Sequence, residues 1–181
     1  MKTVLLDRDG VINRDSDEYI KQPGEWQALT GALEAIAALT AAGFRVVVCT
    51  NQSGLARGLF DRGALGRIHA RMDTQVRRTG GQLHGIFVCP HGPADGCSCR
   101  KPLPGLLRAA AAWHGFDLAG VPVVGDSGRD LDAARAGGAR PILVLTGNGR
   151  RTRSEPGRAD TEAYRDLLAV AERLIEEGRD G

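Results

Sequence analysis

Five short apolar runs rich in β-branched residues punctuate the chain, at positions 3–6, 45–49, 85–88, 121–124 and 142–145. Each is too short for a helix and apolar without alternation, which is the pattern of a strand buried on both faces of a parallel sheet. Helical stretches separate them at 30–42, 61–78, 104–114 and 128–136, closed by Gly43, Gly80, Gly115 and Gly137. Thr30 and Asp61 suit N-caps, Pro104 suits a first turn, and the four glycines suit positions just past a helix end. Strand alternating with helix requires right-handed crossovers, so the expected fold is a doubly wound, Rossmann-like α/β sheet of about five parallel strands with helices on both faces. In such a sheet ligands bind outside the carboxyl ends of the strands. Beyond the fifth run, residues 146–160 are polar and rich in Arg and Gly, the composition of a mobile loop. Residues 162–177 then read as a closing amphipathic helix with Leu167, Leu168, Ala171, Leu174 and Ile175 inward.

The 181 residues, 42% of them hydrophobic, suffice for one well-buried core and are few for two, so a single domain over 1–181 is expected. With 24 Lys and Arg against 22 Asp and Glu, the formal net charge is only +2 and no block of like charge suggests a nucleic-acid arm. Met1 to Leu6 reaches Asp7 after three strongly apolar residues, against the roughly seven to fifteen of a secretory signal. No stretch approaches the roughly 20 apolar residues of a membrane span. A cytoplasmic monomer that engages neither nucleic acid nor membrane is the expectation. Cys49 lies in an apolar run, whereas Cys89, Cys97 and Cys99 gather within eleven residues beside His91, and in a reducing compartment that spacing favours a metal over disulfides.

The residues that carry chemistry fall where the strands end. After the first run comes Asp7-Arg8-Asp9-Gly10-Val11-Ile12-Asn13, two carboxylates at i and i+2 that can divide labour between nucleophile and acid/base. A calcium loop fits poorly: Asp7, Asp9 and Glu18 match its positions 1, 3 and 12, but Val11 and Ile12 stand where Asp or Asn and then Gly are needed. After the second run stands Thr50-Asn51-Gln52-Ser53-Gly54, and after the fourth Gly125-Asp126-Ser127 with Asp130 one turn on. Arg100-Lys101-Pro102 precedes a helix opening at Pro104 and could balance phosphate charge. Taken singly, each also reads as an ordinary turn, helix cap or solvated surface. Their common placement at strand exits and helix starts is what raises them to a site.

In that order, DxD, Thr, Lys and GDxxxD over residues 1 to about 147 resemble the haloacid dehalogenase superfamily. The resemblance implies Asp7 as nucleophile, Asp9 as acid/base, and Thr50 and Lys101 as stabilisers of the transferring phosphoryl group. It implies Asp7, the Asp9 carbonyl and Asp126 as Mg²⁺ ligands, with Ser127 and Asp130 in support. Phosphoryl transfer asks for this arrangement, an in-line oxygen nucleophile with cations around the equatorial oxygens.

Cys89, His91, Cys97 and Cys99 form C-x-H-x5-C-x-C, a complete Cys₃His ligand set for one structural Zn²⁺ ion, with iron the other candidate. Such a clamp would fix the loop that carries Arg100 and Lys101. Within the superfamily a zinc loop of this kind resembles two groups of phosphatases, one removing the C7 phosphate of D-glycero-D-manno-heptose 1,7-bisphosphate and the other acting on histidinol phosphate. The first is favoured by three strings, residues 7–13, 50–58 and 99–105, and the second by the short spacer 92–96. The heptose resemblance implies a sugar-phosphate pocket lined by Asp15, Ser16, Asp17, Glu18, Thr50, Asn51, Gln52, Ser53, Arg57, Arg100 and Lys101, and a product destined for nucleotide-activated heptose in a surface glycan. The loop at Asp15 to Glu18 is one residue longer than that pattern. Too few residues separate Asp9 from Asn51 for a cap domain. A zinc-stabilised binding module without catalysis would be expected to lack Asp7 or Asp9, and both are present. His69, His84 and His114 read as structural or exposed, and Trp26 and Trp113 as packing residues.

Overall fold

A computed structural model describes residues 1–179. Its strands are β1 (Thr3–Leu6), β2 (Arg45–Asn51), β3 (Gly85–Cys89), β4 (Pro122–Gly125), β5 (Arg140–Val144) and β6 (Ala163–Tyr164). Its helices are α1 (Ala32–Ala41), α2 (Arg62–Arg78), α3 (Gly105–His114), α4 (Gly128–Ala136), α5 (Gly149–Arg153) and α6 (Leu167–Arg179). All strands are parallel, in the order β3-β2-β1-β4-β5-β6. The doubly wound sheet is borne out, with six strands rather than five. The extra strand is the two-residue β6, which pairs Leu143 with Ala163 and Val144 with Tyr164. A run of two residues carries no periodicity, so the sequence alone absorbs it into the start of the last helix, which begins instead at Leu167.

Successive residues of a strand point to opposite faces, and β1 shows the consequence. Val4 and Leu6 join a core beneath α1, α2 and α6 that includes Ile36, Leu39, Ile68, Met72, Val170 and Leu174. Leu5, between them, faces α3 and α4 through Leu106, Leu107, Ala110, Ala133 and Ala134. Because both faces are covered, every residue of β1 is buried, which is why its sequence reads as apolar without alternation.

Several helix ends differ from expectation by a residue. Asp61 caps α2, accepting from the Ala64 amide at 2.6 Å, but α1 is capped by Gly31 in the left-handed region at φ 78° rather than by Thr30. At the end of α4 it is Gly138, not Gly137, that turns left-handed. Trp113 does not pack: it stands on the last turn of α3 with 79% of its surface exposed, beyond the face that Leu106, Leu107, Ala110 and Ala111 bury. Trp26 is fully buried as expected. Residues 146–160 are not wholly loop, since α5 lies within them. Among the described residues no helix is long and apolar enough to cross a membrane.

Candidate active site

The strand order reverses direction at β1, whose neighbours are β2 on one side and β4 on the other. Asp7 leaves β1 and Asp126 leaves β4 at that switch point, where a crevice opens in folds of this kind. Lys101 Nζ, 3% exposed, lies 3.0 Å from Asp7 Oδ1 and 2.5 Å from Asp130 Oδ1. It also donates to the Cys49 carbonyl at 2.9 Å. Asn51 fixes the lysine's backbone from both sides, its Oδ1 accepting from the Lys101 amide at 3.2 Å and its Nδ2 donating to the Lys101 carbonyl at 3.1 Å. Asp130 in turn accepts from Ser127 N at 3.1 Å and Ser127 Oγ at 2.6 Å, a capping box that ties it to the first turn of α4.

Asp7, Asp126 and Asp130 bring carboxylate oxygens within 4.8 Å of one another. With Asp130 committed to Lys101 and Ser127, Asp7 Oδ2 and Asp126 Oδ1 accept no hydrogen bond from the described residues. These two oxygens suit a small hard cation, which takes oxygen ligands from one or two carboxylates. Burial and the carboxylates of Asp130, Asp126 and Asp9 push Asp7 up to about 8 against the pull of Lys101. Burial likewise pushes Asp126 up to about 6. Burial alone would depress Lys101, but Asp130 and Asp7 hold it well above its ordinary value.

Two segments that no motif pointed to complete the floor. Asn148, just before α5, donates to Asp126 Oδ2 from its backbone at 2.7 Å and its side chain at 3.2 Å. Thr152 Oγ1 donates to the Asp126 carbonyl, and Thr146 Oγ1 to the Gly10 carbonyl. Gly10, at φ 77°, and Gly147, at φ 53°, both lie where a Cβ would collide with the Asp126 carboxylate, so the two backbones can close on it only as glycine.

Asp9 is held apart from this cluster. Its Oδ1 accepts from Arg8 Nη2 at 2.9 Å and Asn13 Nδ2 at 2.9 Å, and its Oδ2 from Arg8 Nη2 at 3.0 Å and Gln52 Nε2 at 2.9 Å. Burial alone would raise it, but the Arg8 charge and these hydrogen bonds hold the Asp9 carboxyl below its usual range. Arg8, between the two aspartates in sequence, folds back onto Asp9 and is 1% exposed. Its Nη1 meets His69 Nε2 at 3.1 Å, which makes His69 a structural partner, the first of the two readings its sequence context allowed. His84 and His114 fit the structural reading: His84 Nδ1 accepts from the Val46 amide and the His114 ring lies edge-on to Phe87.

A cavity of about 260 Å³ opens over both groups. Among the residues expected to contact substrate, Asp15, Ser16, Asn51, Gln52, Ser53, Arg57, Arg100 and Lys101 line it. Thr50 is buried below, with its Oγ1 accepting from Gln52 at 2.9 Å. Asp17 and Glu18 are exposed and lie outside the lining. Tyr19, Arg129 and Asn148 line the cavity without having been expected. The Arg57 guanidinium lies over the Tyr19 ring at 5.9 Å.

Cys89, His91, Cys97 and Cys99 converge as their spacing suggested, and the three cysteines are free thiols. Cys89 Sγ lies 3.8 Å from Cys97 Sγ and 3.3 Å from Cys99 Sγ, and His91 Nδ1 lies 3.3 Å from Cys99 Sγ. Zn–S bonds of about 2.3 Å in a tetrahedron set edges of about 3.8 Å, so the four atoms fit one ion with little movement. The His91 carbonyl accepts from Arg100 Nη1 at 3.1 Å, joining the cluster directly to a side chain in the cavity wall.

The chain resembles known proteins along nearly its whole length. A HAD-hydrolase-like family model matches residues 98–170. The D-glycero-beta-D-manno-heptose-1,7-bisphosphate 7-phosphatase of Bordetella bronchiseptica is 56% identical over 98% of this chain and 99% of its own length. That of Pseudomonas aeruginosa is 51% identical over 96% and 97%. The crystal structure of the D,D-heptose 1,7-bisphosphate phosphatase from B. bronchiseptica, complexed with magnesium and phosphate, superposes with a TM-score of 0.95 over 98% of this chain and 99% of that one. The corresponding enzyme from Burkholderia thailandensis, 41% identical over 97% of this chain and 99% of its own, gives 0.77. Fold, site and identity thus agree, and the chain belongs to the HAD-like hydrolases, in the family of the D-glycero-beta-D-manno-heptose-1,7-bisphosphate 7-phosphatases.

Proposed function

We propose that this protein hydrolyses the C7 phosphate of D-glycero-D-manno-heptose 1,7-bisphosphate through an aspartyl-phosphate on Asp7. The observation that carries the reading is the placement of Asp7 at the switch point of the sheet, held by a buried lysine and close to a second carboxylate with one free oxygen, Asp126, at the floor of an open polar cavity. Asp7, the Asp9 carbonyl and Asp126 would hold Mg²⁺, as the oxygen-only donor set suits. Once bound, the ion supplies positive charge against which an anionic phosphate can approach a carboxylate.

An Asp7 oxygen attacks phosphorus as the bond from phosphorus to the sugar oxygen breaks, and Asp9 delivers a proton to the departing alkoxide. Because Arg8, Asn13 and Gln52 keep Asp9 ionised at rest, it takes that proton from the entering phosphate monoanion, whose pKa is about 6. Water then attacks the aspartyl-phosphate while Asp9, again a carboxylate, accepts its proton and inorganic phosphate leaves. Lys101 bears on the equatorial oxygens, and Thr50 supports the floor through Gln52. Ser127 and Asp130 aim the lysine. Arg57, Arg100 and Arg129 at the mouth suit the second phosphate of a bisphosphate. Asp15 and Ser16 fit the sugar's hydroxyls, and Asp17 and Glu18 stand at the outer edge of that loop.

The Cys/His cluster suits a structural Zn²⁺ that leaves no position for water and steadies Arg100 through the His91 carbonyl. The product, heptose 1-phosphate, suits activation with a nucleotide for a surface glycan. One domain, working as a cytoplasmic monomer on a small sugar phosphate with no need of nucleic acid or membrane, accords with the single sheet and the near-neutral charge.

The test is phosphate release measured side by side on heptose 1,7-bisphosphate and histidinol phosphate. The expected kcat/KM ratio is at least about tenfold for the heptose ester, equivalent to about 1.4 kcal/mol of transition-state preference. The reverse ranking would overturn the substrate assignment.

A further inference from the structure

Arg8 is an uncommon residue to bury. Its guanidinium carries five N–H donors and no acceptor, and a buried one must be both paired and hydrogen-bonded. One side of its fork is spent on Asp9, through Nε at 3.2 Å and Nη2 at 2.9 and 3.0 Å. On the other side Nη1 reaches His69 Nε2 at 3.1 Å. Since arginine cannot accept, the histidine must, which fixes its neutral form with the proton on Nδ1. His69 is set by α2, where Ile68 and Met72 are fully buried in the core beside it. Among the described residues, His69 makes the only hydrogen bond to the Arg8 side chain from outside the loop of residues 7–13. The orientation of Asp9 thus depends on a chain of contacts running back into a rigid helix 61 residues away.

We infer that His69 is a positioning residue for the acid/base step: it holds Arg8, and Arg8 holds the Asp9 carboxylate at the angle from which it serves the leaving oxygen. The inference rests on the reading of Asp9 given above. It has a signature that a packing role lacks. A sugar alkoxide needs a proton as it leaves, whereas an aryl phosphate, with a stable phenolate, needs far less. Loosening Asp9 should therefore slow one ester and spare the other. Loss of packing would slow both.

The experiment is single-turnover phosphoryl transfer from heptose 1,7-bisphosphate and from p-nitrophenyl phosphate, using wild type, His69→Ala, His69→Phe, His69→Gln and Asp9→Asn. His69→Ala and His69→Phe both remove the acceptor, and the second keeps the bulk should the first fold poorly. Both are expected to slow transfer from the sugar ester about tenfold, with KM within about twofold and the phenolate burst within about twofold of wild type. His69→Gln, whose amide oxygen can accept from Arg8, should recover most of the loss. Equal slowing of both esters in the acceptor-free variants, or no rescue by Gln, overturns the role of His69. Asp9→Asn separates the two levels. If it discriminates between the esters and the His69 variants do not, only the positioning claim falls. If Asp9→Asn itself shows no leaving-group dependence, the acid/base reading falls and the positioning claim with it.

Discussion

At the amino end of the sheet Arg140, the first residue of β5, forks Glu162 at 2.6 and 2.7 Å and Glu177 at 2.7 and 2.9 Å, tying β5, β6 and α6 together. All three side chains are about a third exposed, so water screens whatever charge the pairing leaves over. At the carboxyl end Asp7 and Asp130 share a single ammonium, Lys101, while Asp126 lies beside them with no cation of its own, and all three are nearly cut off from solvent. Three carboxylates around one lysine leave an excess of negative charge where water cannot compensate it, and the high position of Asp7 records the cost. The amino end is arranged for stability. The carboxyl end carries an excess of negative charge that a divalent cation would balance.

The comparison can be broken at its most strained point. Asp7→Asn should abolish turnover of sugar and aryl esters alike, by a factor on the order of 10⁴ or more, because a neutral amide is a poor nucleophile. The same change removes one of three crowded carboxylates. In EDTA the variant should therefore unfold no earlier than wild type and up to about 1 kcal/mol later. A variant both inactive and clearly destabilised would argue that the Asp7 to Lys101 pair holds the fold rather than opposing it.

Removing the cation should do the reverse. Lys101→Met leaves Asp7 and Asp130 without their common partner, with Asp126 close by, and should cost about 3–5 kcal/mol, as breaking a buried pair does. Mg²⁺ is expected to return part of that loss, which denaturant unfolding with and without the ion would read. An unchanged midpoint would mean that the carboxylates are far better solvated than their burial indicates.

A third change addresses the loop that delivers Arg100 and Lys101. Elemental analysis should find one zinc per wild-type chain and none in Cys97→Ala, which should be destabilised by something on the order of 3 kcal/mol. Turnover should fall mainly through KM, as the Arg100 guanidinium loses its anchor at the His91 carbonyl. Metal-free wild-type protein with full activity would set aside the structural zinc.

The smallest effect belongs to the amino end. Arg140→Met should cost only about 1 kcal/mol, since pairs open to water are screened and replaceable by it. Its pH dependence is sharper than its size. Burial alone would raise Glu162, but the bond to Arg140 outweighs it, and the same arginine lowers Glu177. Groups with a depressed folded pKa lend stability above their unfolded value of 4.5, and lose it as pH falls through the folded value. Wild type should therefore lose stability below about pH 4.5 more steeply than Arg140→Met, with the two curves converging in acid. Parallel curves would show that Arg140 adds nothing to the titration of either glutamate.

Much of this site was legible before any fold was known, because catalysis at the carboxyl edge of a parallel sheet places each functional group just after an apolar run. Asp7 and Asp126 follow β1 and β4 by one residue, Thr50 is the next-to-last residue of β2, and Asp130 follows Asp126 by one helical turn. The Cys/His cluster was legible because four donors within eleven residues need no tertiary contact to be seen as a set. Missed were residues whose importance lies in what touches them across the fold. Arg8 was in plain view between two aspartates, but nothing local says that it turns inward to His69. Asn148 and Thr152 lie in a polar stretch with the composition of a loop, and only packing brings them under Asp126.

The sequence by itself determined which chemical groups this protein has, their order, and the alternation of strand and helix that sends them to one edge of a sheet. Those are properties of short segments, set by periodicity, turn residues and ligand spacing. Only the tertiary structure decided their charge states and aim: that Lys101 is shared by Asp7 and Asp130, that Asp126 is left half free, and that Asp9 is turned onto Arg8. The reason is physical. Desolvation and Coulomb interaction depend on distance in space and on the exclusion of water, and neither is fixed until segments far apart in the chain have packed together.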